Sequence, residues 1–135
     1  MNKCVSKLRL NYKRWGQVIG PVSGYVARVD FLGTGNAFCP SGRMHALAIL
    51  DEKILIDAPP TLLAQMRRSN ISTGQVEHIL FTHWHGDHTF GFPFLILDRK
   101  YITDTSGDKI LALHHRPGGR EYLTSLSKLG FPGSL

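Results

Sequence analysis

The chain contains His83-Trp84-His85-Gly86-Asp87-His88, a stretch that places four potential metal ligands within six positions after an apolar run. Neutral imidazole nitrogen and carboxylate oxygen are ligands that Zn²⁺ and related ions take in proteins. Alternate residues of an extended segment point to the same side, so His83 and His85 can reach one ion together while Trp84 points away. The stretch therefore predicts a metal site at the end of a strand.

The second half of the same stretch predicts a second ion position beside the first. Gly86 has no Cβ and allows a tight turn, which would bring Asp87 and His88 round toward an adjacent ion. A loop of this kind supplies ligands to two neighbouring ions, as two-metal hydrolases require. The alternative is a histidine-rich surface loop that holds no ion, but the arrangement of strand followed by loop fits the metal interpretation.

The segments around this stretch predict a layered α/β domain, because strands alternate with helices along the chain. Strands are expected at 25–32, 44–50, 53–56, 78–82 and 110–113, with the second and third forming a hairpin. Helices are expected at 59–68, 90–97 and 119–129, with 101–109 as a polar loop or hairpin. Pro93 fits the first turn of the second helix. The third helix is expected to gather its apolar residues on one side, namely Tyr122, Leu123, Leu126 and Leu129.

Length and composition indicate one soluble globular domain. The chain has 135 residues, of which 42% are hydrophobic and 19% are charged, and a chain of this size buries roughly two-thirds of its unfolded surface. No run of about 18 apolar residues occurs, so no membrane span is expected. Cys4 and Cys39 do not make a disulfide framework, which favours a reducing, cytoplasmic location. Cys39 is interpreted as a plain loop thiol rather than a zinc ligand.

The metal stretch resembles the His-x-His-x-Asp-His signature of the metallo-β-lactamase fold superfamily. Further segments, in matching order, resemble the ribonuclease Z-like branch: FLGTGNA at 31–37, ILID at 54–57, GFPF at 91–94, and RPGG at 116–119 with FPG at 131–133. The resemblance implies an α/β fold that forms the N-terminal half of an αββα sandwich. Residues 1–28 would then be a basic, poorly ordered extension, and 29–135 a partial domain that lacks the C-terminal half.

The resemblance also implies a metal-dependent hydrolase that uses one or two Zn²⁺ ions and a metal-bound hydroxide to cleave a phosphodiester. His83 and His85 would hold the first ion, and Asp87 and His88 the second. Asp87 would also act in catalysis by orienting the water. Asp57 would hold the loop in place through hydrogen bonds to its ligands. The implied substrate is RNA or a small phosphodiester or ester.

The chain departs from this family because the later His, Asp and His ligand motifs of the family's second half are not found in it. One of His114 and His115 is a further candidate ligand, His115 being the one favoured, although both come early for the family's next motif. The alternative function is therefore an inactive fragment, or a half-subunit that a second copy or a complementary C-terminal half completes. Such a half would expose an apolar sheet face, which favours association.

The net charge of +6 lies in the N-terminal segment. Residues 1–29 contain six of the sixteen Lys and Arg residues and no Asp or Glu, so the remaining ten basic residues balance the ten acidic ones. Three interpretations stay open: a nucleic-acid-binding arm, a transit-like sequence, and an unstructured extension. We favour the extension, because the family resemblance begins only near Val29.

Several residues outside the loop have a plainer alternative role. Asp57 could equally cap the helix that follows it, a role that is compatible with holding the metal loop. Gly33 and Gly35 are interpreted as a tight turn rather than a phosphate-binding loop, because no third Gly and no Lys-Ser/Thr pair follows. His45 and His78 are interpreted as strand-edge residues.

Overall fold

The computed structural model describes residues 26–133, so most of the predicted basic extension at 1–28 lies outside the described residues. The described chain forms one five-stranded sheet in the order β1-β2-β3-β4-β5. The strands are β1 (Val29–Gly33), β2 (Leu47–Leu50), β3 (Ile54–Ile56), β4 (His78–Leu80) and β5 (Ala112–His114). The first three pair antiparallel, whereas β3, β4 and β5 run parallel. This mixed α/β sheet confirms the predicted fold class.

Four α-helices accompany the sheet, and each expected helix is present with slightly different bounds. They are α1 (Leu62–Arg68), α2 (Gly86–Thr89), α3 (Phe92–Asp98) and α4 (Gly119–Gly130). Helix α1 begins three residues later than expected, after Thr61 as its N-cap residue. Pro93 lies in the first turn of α3 as predicted, where the missing proline N–H costs no helical hydrogen bond. No helix among residues 26–133 is long and apolar enough to cross a membrane.

The core lies between the helices and one face of the sheet. Ile49, Leu55 and Ile79 are neighbours in register across β2, β3 and β4, and each is fully buried. Burying a side chain of this size contributes about 1.5–3 kcal/mol. Helices α1, α3 and α4 cover this face with Leu62, Met66, Phe92, Leu95 and Leu123. The core therefore fixes the parallel strands whose ends carry the predicted site.

The opposite face of the sheet is also apolar, but it is only partly buried. The side chains that alternate with the core residues point to this face, and Leu50, Ile54, Ile56 and Leu80 are half-buried there. On the edge strand β1, Val29 and Phe31 are exposed. The structure thus has the exposed apolar sheet face that the sequence analysis expected.

Several segments differ from the predictions. The polar loop expected at 101–109 begins with a π-helical turn, Arg99–Thr103, that continues α3. The buried guanidinium of Arg99 stabilises it by donating hydrogen bonds to the carbonyls of Thr73, Val76 and Lys109. Burial lowers the pKa of Arg99, and the nearby charge of Asp104 opposes this shift.

Other differences concern element ends: β2 begins at Leu47 rather than at 44, and β5 is Ala112–His114 rather than 110–113. The first strand begins at Val29, so residues 26–28 are not part of it. The strand expected at 78–82 ends at Leu80, because the Thr82 N–H donates to a side chain instead of the sheet. On α4, Leu123 is buried but Leu129 is 81% exposed, so the apolar side of this helix ends before its last turn.

Candidate metal centre

The predicted site lies where the parallel strands β3 and β4 end at the same edge of the sheet. Asp57 follows β3, and the metal loop 83–88 follows β4. Backbone hydrogen bonds join the two segments: Ala58 N–H donates to the His88 carbonyl over 2.8 Å, and Gly91 N–H donates to the Ala58 carbonyl over 2.8 Å. A Cβ on Gly91 would overlap the Pro59 carbonyl. The two segments therefore form one tightly packed unit.

Asp57 is the buried anchor of this unit. Its carboxylate is enclosed, with the residue only 4% exposed, and it accepts three hydrogen bonds. Thr82 donates from its backbone N–H to Oδ1 and from its hydroxyl to Oδ2, both over 2.7 Å. His88 Nδ1 lies 2.8 Å from the same Oδ2. The carboxylate thus holds the loop at both ends, and it does not cap α1, whose N-cap residue is Thr61.

The hydrogen bonds around Asp57 fix the proton positions on two histidines. The Thr82 hydroxyl donates its hydrogen to Asp57, so its oxygen can only accept from His83. His83 Nδ1 lies 2.9 Å from this oxygen and is therefore the donor. His88 Nδ1 in turn donates to the carboxylate. In the neutral form of either ring, Nε2 then carries no proton. Carboxylate-oriented imidazoles of this kind are typical of metal-ligating histidines.

The free nitrogens face other potential ligands at suitable distances. His83 Nε2 lies 3.2 Å from His85 Nδ1, and His88 Nε2 lies 3.3 Å from an Asp87 carboxylate oxygen. Two nitrogen ligands of a tetrahedral ion, each about 2.0–2.1 Å from it, lie about 3.3–3.4 Å apart. Each pair therefore has the spacing needed to share one ion. Within residues 26–133, no three His, Cys, Asp or Glu side chains form a complete metal-holding group.

The rings of the loop histidines also pack closely together. The His83 ring centroid lies 4.6 Å from that of His85 and 4.0 Å from that of His88. The structure thus brings together all four predicted ligands of the loop, as two adjoining pairs. The short helix α2 carries Asp87 and His88 round to the second pair, as the turn at Gly86 predicted.

The back of the loop is fixed by residues that the sequence analysis did not single out as site residues. The Trp84 ring packs against that of Tyr122 of α4, with centroids 5.0 Å apart and planes tilted by 39°, and the Tyr122 hydroxyl donates to the Trp84 carbonyl. Buried Thr89 donates to the His85 carbonyl. These bonds hold the backbone on both sides of the His85 side chain. Tyr122 was predicted only as part of an apolar helix face, and Thr82 and Thr89 gave no signal beyond their position beside the motif.

Other candidate residues lie apart from the loop ligands. His115 packs against the Trp84 ring, with centroids 6.1 Å apart, and its Nδ1 donates to the carbonyl of Arg116. Its Nε2 is buried and has no hydrogen-bond partner, so this histidine is placed on the Trp84 side rather than with either ligand pair. Cys39 is a half-buried free thiol.

The glycines of the FLGTG segment have a packing role. A Cβ on Gly33 would overlap the amide of buried Gln65, and one on Gly35 would lie 2.7 Å from the carbonyl oxygens of Arg43 and Met44. The chain therefore needs glycine because two backbone segments approach closely. His45, in the second of these segments, is hydrogen-bonded to Thr61 over 3.0 Å, in agreement with a structural role.

Comparison with known proteins identifies relatives of this arrangement. A family model described as "Anti-Pycsar protein Apyc1" matches residues 27–117. Ribonuclease Z of Haloferax volcanii is 34% identical over 106 residues, which cover 76% of this chain and 32% of that protein. Ribonuclease Z of Listeria welshimeri is 34% identical over 105 residues, covering 73% of this chain and 33% of the relative. The chain thus spans about a third of the length of these curated relatives.

Solved structures agree with these matches. The short form of human tRNase Z superposes with a TM-score of 0.65 and 27% identity, covering 78% of this chain and 40% of that one. A diphosphatase from the PhnP family gives a TM-score of 0.57 and 25% identity, covering 78% and 47%. A metallo-β-lactamase fold protein from Bacillus subtilis, at 14% identity and a TM-score of 0.55, supports the fold alone. The chain belongs to the Anti-Pycsar protein Apyc1 family, and its sheet and helices form part of a metallo-β-lactamase fold of the ribonuclease Z-like kind.

Proposed function

We propose that this chain carries the metal-binding loop of a zinc-dependent hydrolase that cleaves phosphodiesters. The observation that carries the proposal is the hydrogen-bond chain from His83 through Thr82 to Asp57 and on to His88. It leaves Nε2 free on two histidines and directs these atoms toward His85 and Asp87. A surface loop without an ion has no need of a buried carboxylate that orients two imidazoles.

The roles of the residues follow from this geometry. His83 Nε2 and His85 Nδ1 would hold one Zn²⁺, and His88 Nε2 with Asp87 would hold a second. Such ions, when bound, make water a nucleophile at neutral pH. The Asp87 carboxylate would orient that water, and Asp57 would keep both imidazoles in the ligating tautomer. Thr89 and Tyr122 would hold the loop backbone in place.

RNA is the substrate that we propose first, with a small phosphodiester second. The relatives are named ribonuclease Z and tRNase Z, and a further structural neighbour is a diphosphatase. All of these names concern phosphorus–oxygen bonds, which favours phosphodiester over carboxylic ester cleavage. Six Lys and Arg residues without any acidic residue at 1–29 would suit a polyanion. A cytoplasmic location is part of the same proposal.

A second candidate function rests on the incomplete ligand set. Among the described residues, each proposed ion position would have two protein ligands from the loop, and no group of three potential ligands is found. Catalytic zinc sites commonly use three protein ligands and leave one position for water or substrate. We therefore also propose a half-subunit that a second copy or a complementary C-terminal half completes. The exposed apolar face of the sheet, with Val29 and Phe31 at its edge, would favour such association.

Hydrolysis of bis(p-nitrophenyl) phosphate by the full chain with added Zn²⁺ tests the proposal. We expect turnover by the wild type, its loss in His85→Ala, and its retention in the control His45→Gln, whose amide keeps the contact to Thr61. If a second copy completes the site, specific activity will rise with protein concentration. A folded, zinc-loaded chain without turnover, alone or mixed with a C-terminal half, would contradict the hydrolase assignment.

A further inference from the structure

The Thr82 hydroxyl lies between a buried carboxylate and an imidazole of the loop. Its oxygen is 2.7 Å from Asp57 Oδ2 and 2.9 Å from His83 Nδ1. A hydroxyl has one hydrogen to donate and two lone pairs with which to accept. Thr82 can therefore donate to only one of these two neighbours at a time, and this choice decides where His83 carries its proton.

The two possible arrangements differ in the nitrogen that is left open on His83. When the hydroxyl donates to Asp57, His83 Nδ1 donates to the hydroxyl, and Nε2 of the neutral ring carries no proton. When the hydroxyl donates to His83 Nδ1 instead, the neutral ring carries its proton on Nε2, which faces His85 Nδ1 over 3.2 Å. Only the first arrangement leaves His83 Nε2 able to bind a cation.

The Asp57 carboxylate favours the first arrangement. A hydrogen bond to an ionised acceptor is roughly twice as strong as one between neutral groups. Asp57 is also buried, so water would not readily replace a donor that turned away, and a buried acceptor that loses its partner bears the full cost of desolvation. The hydroxyl hydrogen therefore stays on the carboxylate, and His83 is held with its proton on Nδ1.

His88 reaches the same carboxylate without a hydroxyl between them. Its Nδ1 lies 2.8 Å from Asp57 Oδ2, so the carboxylate places the His88 proton directly. The rings of His83 and His88 are neighbours, with centroids 4.0 Å apart, yet different groups set their tautomers. Removal of the Thr82 hydroxyl should therefore release the proton position of His83 and leave that of His88 unchanged.

We propose that Thr82 is a positioning residue for one ion position only. Its hydroxyl holds His83 in the tautomer that can ligate, whereas the position at His88 and Asp87 does not depend on it. The inference rests on the proposed function and assigns a separate orienting group to each ion position. Asp57 acts directly on one imidazole and through Thr82 on the other.

Long-range ¹H–¹⁵N NMR of the metal-free full chain tests the inference, because it reports which ring nitrogen carries the proton. At mildly alkaline pH, where imidazole is neutral, the wild type and Thr82→Ser should show the proton on Nδ1 of both His83 and His88. Thr82→Val replaces the hydroxyl by a methyl group and should populate the Nε2-protonated form of His83 alone. The backbone N–H of residue 82 can still donate to Asp57 in each variant, so the anchor is kept.

Thr89→Val is the matched control for this measurement. It removes another hydroxyl of the same region, one that donates to the His85 carbonyl, and it should leave both tautomers as they are in the wild type. An unchanged His83 ring in Thr82→Val, or an equal change in His88, would overturn the inference. A wild-type chain with the His83 proton on Nε2 would do the same.

Zinc titration distinguishes a failure of this inference from a failure of the proposed function. Asp87→Asn removes a ligand of one ion position, and His85→Gln removes a ligand of the other. Adding Thr82→Val to Asp87→Asn should lower zinc affinity about 10–100-fold, whereas adding it to His85→Gln should leave the affinity unchanged. Equal losses in the two backgrounds would overturn the inference. A wild type that has the expected tautomers but binds no zinc would contradict the proposed function alone.

Discussion

Replacement of Asp57 separates the stability of the loop from its ability to bind metal. In Asp57→Ala, the Thr82 N–H, the Thr82 hydroxyl and His88 Nδ1 lose their shared acceptor. Hydrogen bonds to a charged group contribute about 1.5–3 kcal/mol each. Because the site is buried and the losses are not additive, we expect the free energy of unfolding to fall by about 3–5 kcal/mol.

Asp57→Asn is predicted to act differently. Asp57 has a φ of 66°, and asparagine tolerates this left-handed conformation well. The amide oxygen can still accept from the Thr82 N–H, but its NH₂ group would face the Thr82 hydroxyl and His88 Nδ1. His88 can accept from that group only by moving its proton to Nε2, the atom proposed to bind metal. We therefore expect a loss of about 1–2 kcal/mol in stability and a 10–100-fold loss of zinc affinity.

Urea unfolding and zinc competition against a chromophoric chelator measure the two effects. The matched control is Asp98→Asn, since Asp98 is also buried and bonded, to Arg67 and Thr73, but lies outside the loop. The control should lose stability and keep its zinc affinity. Equal zinc affinity in Asp57→Asn and wild type, or an equal loss in Asp98→Asn, would refute the reasoning.

The other predictions concern packing, loop support and pH. Tyr122→Phe keeps the ring that packs against Trp84 but removes the hydrogen bond to the Trp84 carbonyl. Thermal unfolding should therefore show a stability about 1 kcal/mol lower. An unchanged melting temperature would contradict this prediction. Gly91→Ala would force a Cβ into the Pro59 carbonyl, so the free energy of unfolding in urea should fall by at least about 1–3 kcal/mol. Wild-type stability in this variant would show that the segment after β3 and the metal loop are not packed as described. Burial and neighbouring charge hold the pKa of His114 below its ordinary 6.5. Near this pH the folded state therefore binds fewer protons than the unfolded state. The free energy of unfolding should fall as the pH drops below about 6.5. His114→Gln should flatten this slope, and an NMR titration midpoint at or above 6.5 would contradict the shift.

The loop and its anchor were predictable because their information is local. The spacing of His83, His85, Asp87 and His88 is visible in six residues, and Asp57 and the loop each follow an apolar run of strand type. Strands that leave the same edge of a sheet bring such residues together. The structure confirms that meeting point, with the Asp57 N–H donating to the Leu80 carbonyl.

The supporting contacts were not predictable, because they depend on how distant segments pack. Tyr122 lies 38 residues from the Trp84 carbonyl that it holds, and nothing in a helical pattern marks its hydroxyl as a donor to the loop. No sequence pattern marks Arg99, but three backbone carbonyls bind its buried guanidinium. The contact of His78 with His114 depends on the register of two parallel strands, which side-chain alternation alone does not fix.

Native mass spectrometry of the full chain with Zn²⁺ tests the central proposal, that the loop holds metal, most directly. It counts chains and ions in the same assembly. We predict zinc-bound chains whose most tightly held ions are lost in His83→Gln, His85→Gln and retained in His78→Gln, His114→Gln. A folded wild-type chain without zinc, or an unchanged zinc count after the two loop substitutions, would contradict the assignment of the metal centre.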